Sequence, residues 1–166
     1  PGIRDASAAS SNEAGERRVA GASTLAIAPY DPKELLASIV ESSQDAIISK
    51  TINGIITSWN RGAEQLFGFR TDEVVGKPVT ILIPEDRLDE EPAILAKLRA
   101  GQKVDHFDTI RRRKDGSLLD ISLTISPIRG SDGTIVGASK IARDVSSRKR
   151  EEERQRLLLG EMHHRV

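Results

Sequence analysis

The stretch that most constrains the fold is "LDISLTIS", residues 119–126. Leu119, Ile121, Leu123 and Ile125 alternate with Asp120, Ser122, Thr124 and Ser126. Successive side chains of a β-strand point to opposite faces, so this pattern predicts a strand with one face on a core and the other toward water. Sheets of that kind are antiparallel and carry their helices on the apolar face. The rest of the chain has to supply the partner strands and those helices.

Upstream, "DPKELLASIVESS" predicts a helix with Asp31 as N-cap, Pro32 at the first helical position and an apolar stripe of Leu35, Leu36, Ile39 and Val40. Asn53-Gly54 lies between two β-branched runs, a strong hairpin signal, and predicts antiparallel strands over 46–51 and 55–59. "AEQLFG" reads as a short helix ended by Gly68, and "TDEVVG" as another, capped by Thr71 and ended by Gly76. Pro78 and Pro84 bracket "VTILI", and a longer helix is expected over 91–100. "VDHFDTIRRR" predicts a third strand, turned at Asp115-Gly116 into the alternating one. "RGSDGT" turns that into a last strand, "IVGASKIARDV", and a charged helix follows from Ser146.

The order is two strands, several short helices, three strands and a long helix. It predicts an α+β fold: a five-stranded antiparallel sheet with short helices on one face, flanked by an N-terminal and a C-terminal helix. Residues 1–30, rich in Ala, Ser, Gly and Arg, read as a linker or loosely ordered arm, within which "TLAIA" suits a short helix on a partner surface. The domain proper is expected over 31–145 and the outgoing helix over 146–166. The start at Pro1 and the stop inside a helical pattern suggest a piece of a longer protein.

Composition excludes several classes. Twenty-five basic and 25 acidic residues cancel, so no bulk charge favours nucleic acid or anionic lipid. The absence of cysteine rules out disulfides and thiolate-bound metal, and fits a cytoplasmic location. No apolar run approaches the roughly 20 residues of a membrane helix. No metal site is expected. "RRRKDG", residues 111–116, reads as a solvated strand edge rather than a nucleic-acid patch. Trp59 reads as a packing residue.

"SWNRGAEQLFGFRTDEVVGKPVTILIPEDR" and "RRRKDGSLLDISLTISPIRGSDGTIVGASKIARDVSSRKR" together resemble a PAS domain, over about residues 35–150. Each phrase has a mechanical job: Asn60 caps the helix holding Ala63 to Phe67, Gly68 and Gly76 end helices, and Asp115-Gly116 makes a turn. The resemblance implies a sensing and dimerisation module with a small-molecule pocket between sheet and helices. It implies that Ile94, Leu98, Leu123, Ile125 and Ile141 face that pocket, although the same residues equally serve as plain core. "ARDVSSRKR" is similar to the motif that closes PAS domains, which implies that Asp144 joins the last strand to the outgoing helix, by capping it or by pairing with a nearby Arg.

The family's pigments need particular residues. Flavin-photosensing members, and those with a thioester-linked chromophore, require a cysteine that is missing here. Haem-binding members place a His on the long helix, where this chain has "LDEEPAILAKLRA"; His106 falls on a strand instead. A cofactor held by flavin–cysteine or family-type haem chemistry is therefore not expected. A small apolar molecule or a carboxylate is compatible with the pocket, and an empty pocket is too.

The last helix ends in "LLLGEMHHRV". At about 100° per residue Leu159, Met162 and Val166 share a face, His163 flanks it and His164 points away. The earlier heptad positions Arg148, Glu152 and Gln155 are polar, so that part of a paired helix is expected to hold weakly. "GEMHHRV" resembles the start of the phosphoacceptor box of HWE-type sensor histidine kinases and their relatives, which implies that His164 accepts the phosphoryl group. A neutral imidazole is a competent nucleophile for that transfer. The transfer also needs ATP, Mg²⁺ and a phosphate cradle, and "GSDGTIVG" is hairpin material rather than a nucleotide loop. The chain is expected to hold an acceptor without a kinase.

These readings converge on the sensory and dimerisation module of a two-component sensor histidine kinase. Its expected partners are a second copy in a parallel homodimer, a downstream kinase core and, in the parent pathway, a response regulator. Two alternatives stay open: the PAS module of a cyclic-dinucleotide enzyme or transcriptional regulator, and a dimerisation spacer with no ligand.

Overall fold

The computed structural model describes residues 29–164. The arm expected over 1–30 lies outside them apart from Pro29 and Tyr30, and so do "TLAIA" and Val166. The chain divides into two units, residues 1–38 and 39–166, and helix α1 (Pro32–Ser42) crosses that boundary. At its start the Lys33 amide donates to Asp31 Oδ1 at 2.9 Å, the capping role the sequence assigns to Asp31.

In the second unit, strands β1 (Ala46–Thr51) and β2 (Ile56–Trp59) form the expected hairpin. Gly54 at its turn has φ +85°, a left-handed conformation that glycine adopts without a Cβ clash. Helices α2 (Arg61–Phe67) and α3 (Thr71–Val74) follow. Two 3₁₀ turns, Val79–Leu82 and Glu85–Arg87, lead to α4 (Glu90–Arg99). Strands β3 (Val104–Arg112), β4 (Leu118–Arg129) and β5 (Ile135–Asp144) then run into α5 (Ser146–His164).

The sheet order is β2-β1-β5-β4-β3, with the pairings β1–β2, β1–β5, β3–β4 and β4–β5 all antiparallel. Strands β2 and β3 are opposite edges, so the chain between them must cross the sheet. It does so as α2 to α4, which lay Ala63, Phe67, Val74, Ile94 and Leu98 on one face. That face supplies Ala46, Ile48, Leu119, Ile121, Leu123, Ile125, Ala138 and Ala142 to the same core. The period-two alternation of β4 is thus the inside and outside of a sheet covered on one side.

Asn60 ties the first hairpin to α2. Its Oδ1 accepts from the Ala63 amide at 2.9 Å, the expected cap, and from the Ile47 amide at 2.8 Å. Its Nδ2 donates to the carbonyls of Val40 and Asp45 at 2.8 and 3.1 Å. Gly62 makes this close approach possible, because a Cβ there would sit 2.3 Å from the Asp45 carbonyl oxygen.

Helix α3 departs from expectation. Arg70, not Thr71, precedes its first turn, and the Arg70 amide donates to Glu73 Oε2 at 2.7 Å. The Thr71 hydroxyl instead donates to the Trp59 carbonyl at 3.2 Å. Trp59 is buried as a packing residue: its ring lies 5.4 Å from Phe67 and its Nε1 donates to the Phe69 carbonyl at 3.0 Å.

Candidate functional site

Three cations point inward where the alternation calls for core residues. Lys50 on β1, Arg111 on β3 and Lys140 on β5 are each 3% exposed. Burying a charge without a partner is costly, and the partners come from the first turn of α4. Glu91 pairs with Lys50 and stands 3.7 Å from Lys140. Glu90 Oε1 accepts from Arg111 Nη1 at 2.8 Å, its two oxygens accept from the Thr109 hydroxyl at 2.8 Å, and Oε2 lies 3.3 Å from Arg87 Nη1.

The electrostatics follow from burial. Desolvation, reinforced by the neighbouring Lys50 charge, lowers the Lys140 ammonium to about 7 despite Glu91. For Glu91 desolvation works upward, but Lys140 and Lys50 outweigh it and hold the carboxyl below its ordinary range. Glu90 is likewise held low against desolvation by Arg111, Thr109 and Arg87. Among the described residues two buried side-chain polar atoms have no hydrogen-bond partner: Glu91 Oε2 and Arg111 Nη2. Beside the cluster, between α4 and β3, lies a cavity of about 190 Å³ whose wall includes Glu90, Ala93, Ile94, Val104 and Phe107.

Of the pocket residues named from sequence, Ile94, Leu98, Leu123 and Ile125 are buried in the core, and Ile94 also lines this cavity. Ile141 is a correction. It is 42% exposed, pairs with Thr124 in the β4–β5 ladder and lies on the outer face of the sheet. The inward positions of β5 are Ala138, Lys140 and Ala142, one residue out of phase with hydropathy. Arg111 is a second correction: the "RRRKDG" segment is not wholly a solvated edge, because its first arginine is inside. His106 is a strand residue, as expected, but with φ +46° at an irregularity in β3 between Val104 and Phe107.

The junction of sheet and outgoing helix is a second cluster. The Ser146 amide donates to Asp144 Oδ1 at 2.9 Å. Desolvation raises the Asp144 carboxyl, but the bonds from Ser146 and the charges of Arg113 and Arg150 hold it below its usual range. Among the described residues Asp144 makes no ion pair; the charged link falls to Asp108 on β3. Arg148 Nη2 lies 2.6 Å from Asp108 Oδ2 and Lys149 Nζ 3.9 Å from it. The Val145 amide also donates to the Asp120 carbonyl at 3.0 Å, so β4 holds the joint from a third side. Further along α5, Leu157, Leu158, Leu159 and Met162 are all more than half exposed. The helix includes His164 as its last residue, while the side chains of both histidines lie outside the described residues. No described helix is long and apolar enough to cross a membrane.

Residues 34–145 match the PAS fold family. The chain is similar to Two-component system protein A of Emericella nidulans, 36% identical over 118 residues, 69% of this chain and 17% of that protein. It is 28% identical over 130 residues to the signal transduction histidine-protein kinase AtoS of Escherichia coli, covering 78% of this chain and 21% of AtoS. The chain therefore spans only about a fifth of the length of these two relatives. A solved PAS domain from Colwellia psychrerythraea superposes with a TM-score of 0.65 at 28% identity, covering 70% of this chain and 99% of that one.

Proposed function

The chain belongs to the PAS family, and on that premise we propose that it is the signal-input and dimerisation module of a two-component sensor histidine kinase. The observation that carries this reading is the junction at β5 and α5. Strand β5 ends at Asp144, α5 begins two residues later, and Asp108 and Asp144 hold its first turn while the Asp120 carbonyl holds Val145 just before it. A change in sheet twist or in the packing of α4 reaches α5 through those bonds. The exposed apolar residues Leu157, Leu158, Leu159 and Met162 suit pairing with the same helix of a second copy, in parallel. Between them and the sheet lies "SSRKREEERQR", polar at the seam and weakly paired, a segment able to change register.

His164 then takes the phosphoryl group from a kinase core in the parent protein, which supplies ATP and Mg²⁺ and hands on to a response regulator. Its place is cytoplasmic. A pigment of the flavin–cysteine or family haem type has no attachment point, since the chain has no cysteine and α4 no histidine.

The test is phase dependence. Joined to a histidine-kinase core, the chain should lose normal output when half a heptad is inserted within "SSRKREEERQR" and regain it when a whole heptad is inserted. Output indifferent to both insertions would mean that α5 is a tether rather than a relay.

A further inference from the structure

The buried charges of the interior do not balance. Lys50, Lys140 and Arg111 face Glu90 and Glu91, three cations against two carboxylates, and Arg87 adds a fourth cation at the rim. An interior with surplus positive charge either sheds a proton or takes up an anion. Arg111 keeps a whole nitrogen, Nη2, buried and without a hydrogen bond, while its Nη1 is committed to Glu90, Thr109 and the Ile110 carbonyl. Guanidinium nitrogens are well matched to carboxylate oxygens. The cavity alongside shares Glu90 with the cluster; Ala93, Ile94, Val104 and Phe107 give it apolar walls, and Asp89 and Lys97 complete its lining.

We propose that this interior binds a small monocarboxylic acid with an apolar body. Its carboxylate is received by Arg111, Lys140 and Lys50, and its body lies in the cavity between α4 and β3. One negative charge balances the three fully buried cations against Glu90 and Glu91, and phosphate has no apolar part for the walls. On binding, Glu90 retains Arg87 and Thr109, and the entering carboxylate takes the nitrogen of Arg111 that Glu90 leaves unused. Glu91, the resident counter-ion of Lys50 and Lys140, then competes with the acid, and its movement shifts the first turn of α4. The inference rests on reading the domain as an input module, whose input site this would be.

The acid also stabilises the protonated form of Lys140, whose ammonium is lowered by burial and by Lys50 and Arg111 and supported by Glu91. Binding near pH 7 should therefore draw in a proton, because the unliganded ammonium is only partly protonated there.

The test is calorimetry on the 166-residue chain with butyrate and benzoate, against butyramide, benzamide and inorganic phosphate. At least one acid should bind saturably, with a heat that changes with the buffer's ionisation enthalpy in the sense of proton uptake. The amides and phosphate should not bind. Glu91→Gln should tighten the acid by at least about tenfold, since it removes a competing buried charge. Ile94→Trp, which fills the cavity and leaves every charge in place, should abolish binding in a protein whose circular dichroism is unchanged. Arg111→Met should do the same if it folds. The proposal is overturned by absence of binding to both acids, by amides or phosphate binding as well as the acids, or by Glu91→Gln leaving affinity unchanged. The two readings fail separately. If no acid binds but heptad insertions still govern kinase output, the relay stands without this ligand; if acids bind and the insertions have no effect, the site stands and the relay falls.

Discussion

Arg148 Nη2 sits 2.6 Å from Asp108 Oδ2, so the first turn of α5 is tied to β3, two strands away from the strand that α5 continues. Both side chains are substantially exposed, and such pairs contribute only about 0.2–1 kcal/mol. The link is weak as a stabiliser and well placed as a positional constraint. Asp108→Arg or Arg148→Asp alone should lower unfolding stability by less than about 1 kcal/mol. Either should nonetheless shift the output of an attached kinase core severalfold, and the double reversal should bring it back. Denaturant melts read beside phosphorylation assays check this; single reversals that leave output flat would move the joint elsewhere.

Asn60 is the opposite case. It is 1% exposed and its amide makes four hydrogen bonds to backbone groups of α1's end, the loop before β1, β1 itself and α2. Truncation to Ala strands several of those groups at about 1–3 kcal/mol apiece, partly relieved by water. Asn60→Ala should therefore cost about 3 kcal/mol or more, read as a lower denaturant midpoint. Asn60→Asp should fall between, since it keeps the cap and loses both donors.

Lys140 carries a pH signature. Its ammonium is lowered from 10.5 to about 7, so between those values the unfolded chain holds a proton that the folded one releases. Stability contributed by this group is lowest below pH 7 and rises as pH climbs toward 10. Lys140→Met removes the burial penalty and should stabilise the protein at pH 7 by on the order of 2 kcal/mol. The gain should shrink at pH 10. Urea unfolding at both values measures it, and a gain that is equal at both would mean Lys140 is charged throughout.

Much of the fold was legible because it rests on period and on turn residues. The alternation of 119–126, Asn53-Gly54, Asp115-Gly116 and the Asn60 cap each act locally, and each strand and α-helix begins or ends within a residue or two of expectation, whereas the two 3₁₀ turns over 79–87 were not anticipated. The charged interior was not legible for a physical reason. Core membership is usually read from hydropathy, and at Lys50, Arg111 and Lys140 hydropathy has the wrong sign. Only strand parity could have found the two lysines: Lys140 stands midway between Ala138 and Ala142, and Lys50 two residues beyond Ile48. Parity itself fails in β3, where the irregularity at His106 puts Val104, Phe107, Thr109 and Arg111 on one face. The Asp108–Arg148 tie joins residues far apart in sequence, and nothing local marks either as a partner.

The pigment expectation is checked by an absorbance scan. Purified protein should show only the ultraviolet band of Trp59 and Tyr30, the only Trp and Tyr in the chain, with no visible absorption. A bound chromophore near one per chain would show that the family can hold a pigment here without a cysteine or an α4 histidine.

His164 is expected to be the phosphoacceptor. The likeness of "GEMHHRV" to a phosphoacceptor box selects the second histidine, and helical spacing independently sets His164 away from the Leu159–Met162 seam, with His163 on its flank. An acceptor must be reachable by the nucleotide, whereas a seam neighbour is shielded once two helices pair. The 166-residue chain alone should not label with ATP. Joined to a kinase core, it should acquire acid-labile phosphate. His164→Gln should abolish that label, and His163→Gln should reduce it by disturbing the pairing while leaving the same site modified. Loss of label only with His163→Gln would mean the seam is rotated by one residue, and label surviving both changes would place the acceptor outside this helix.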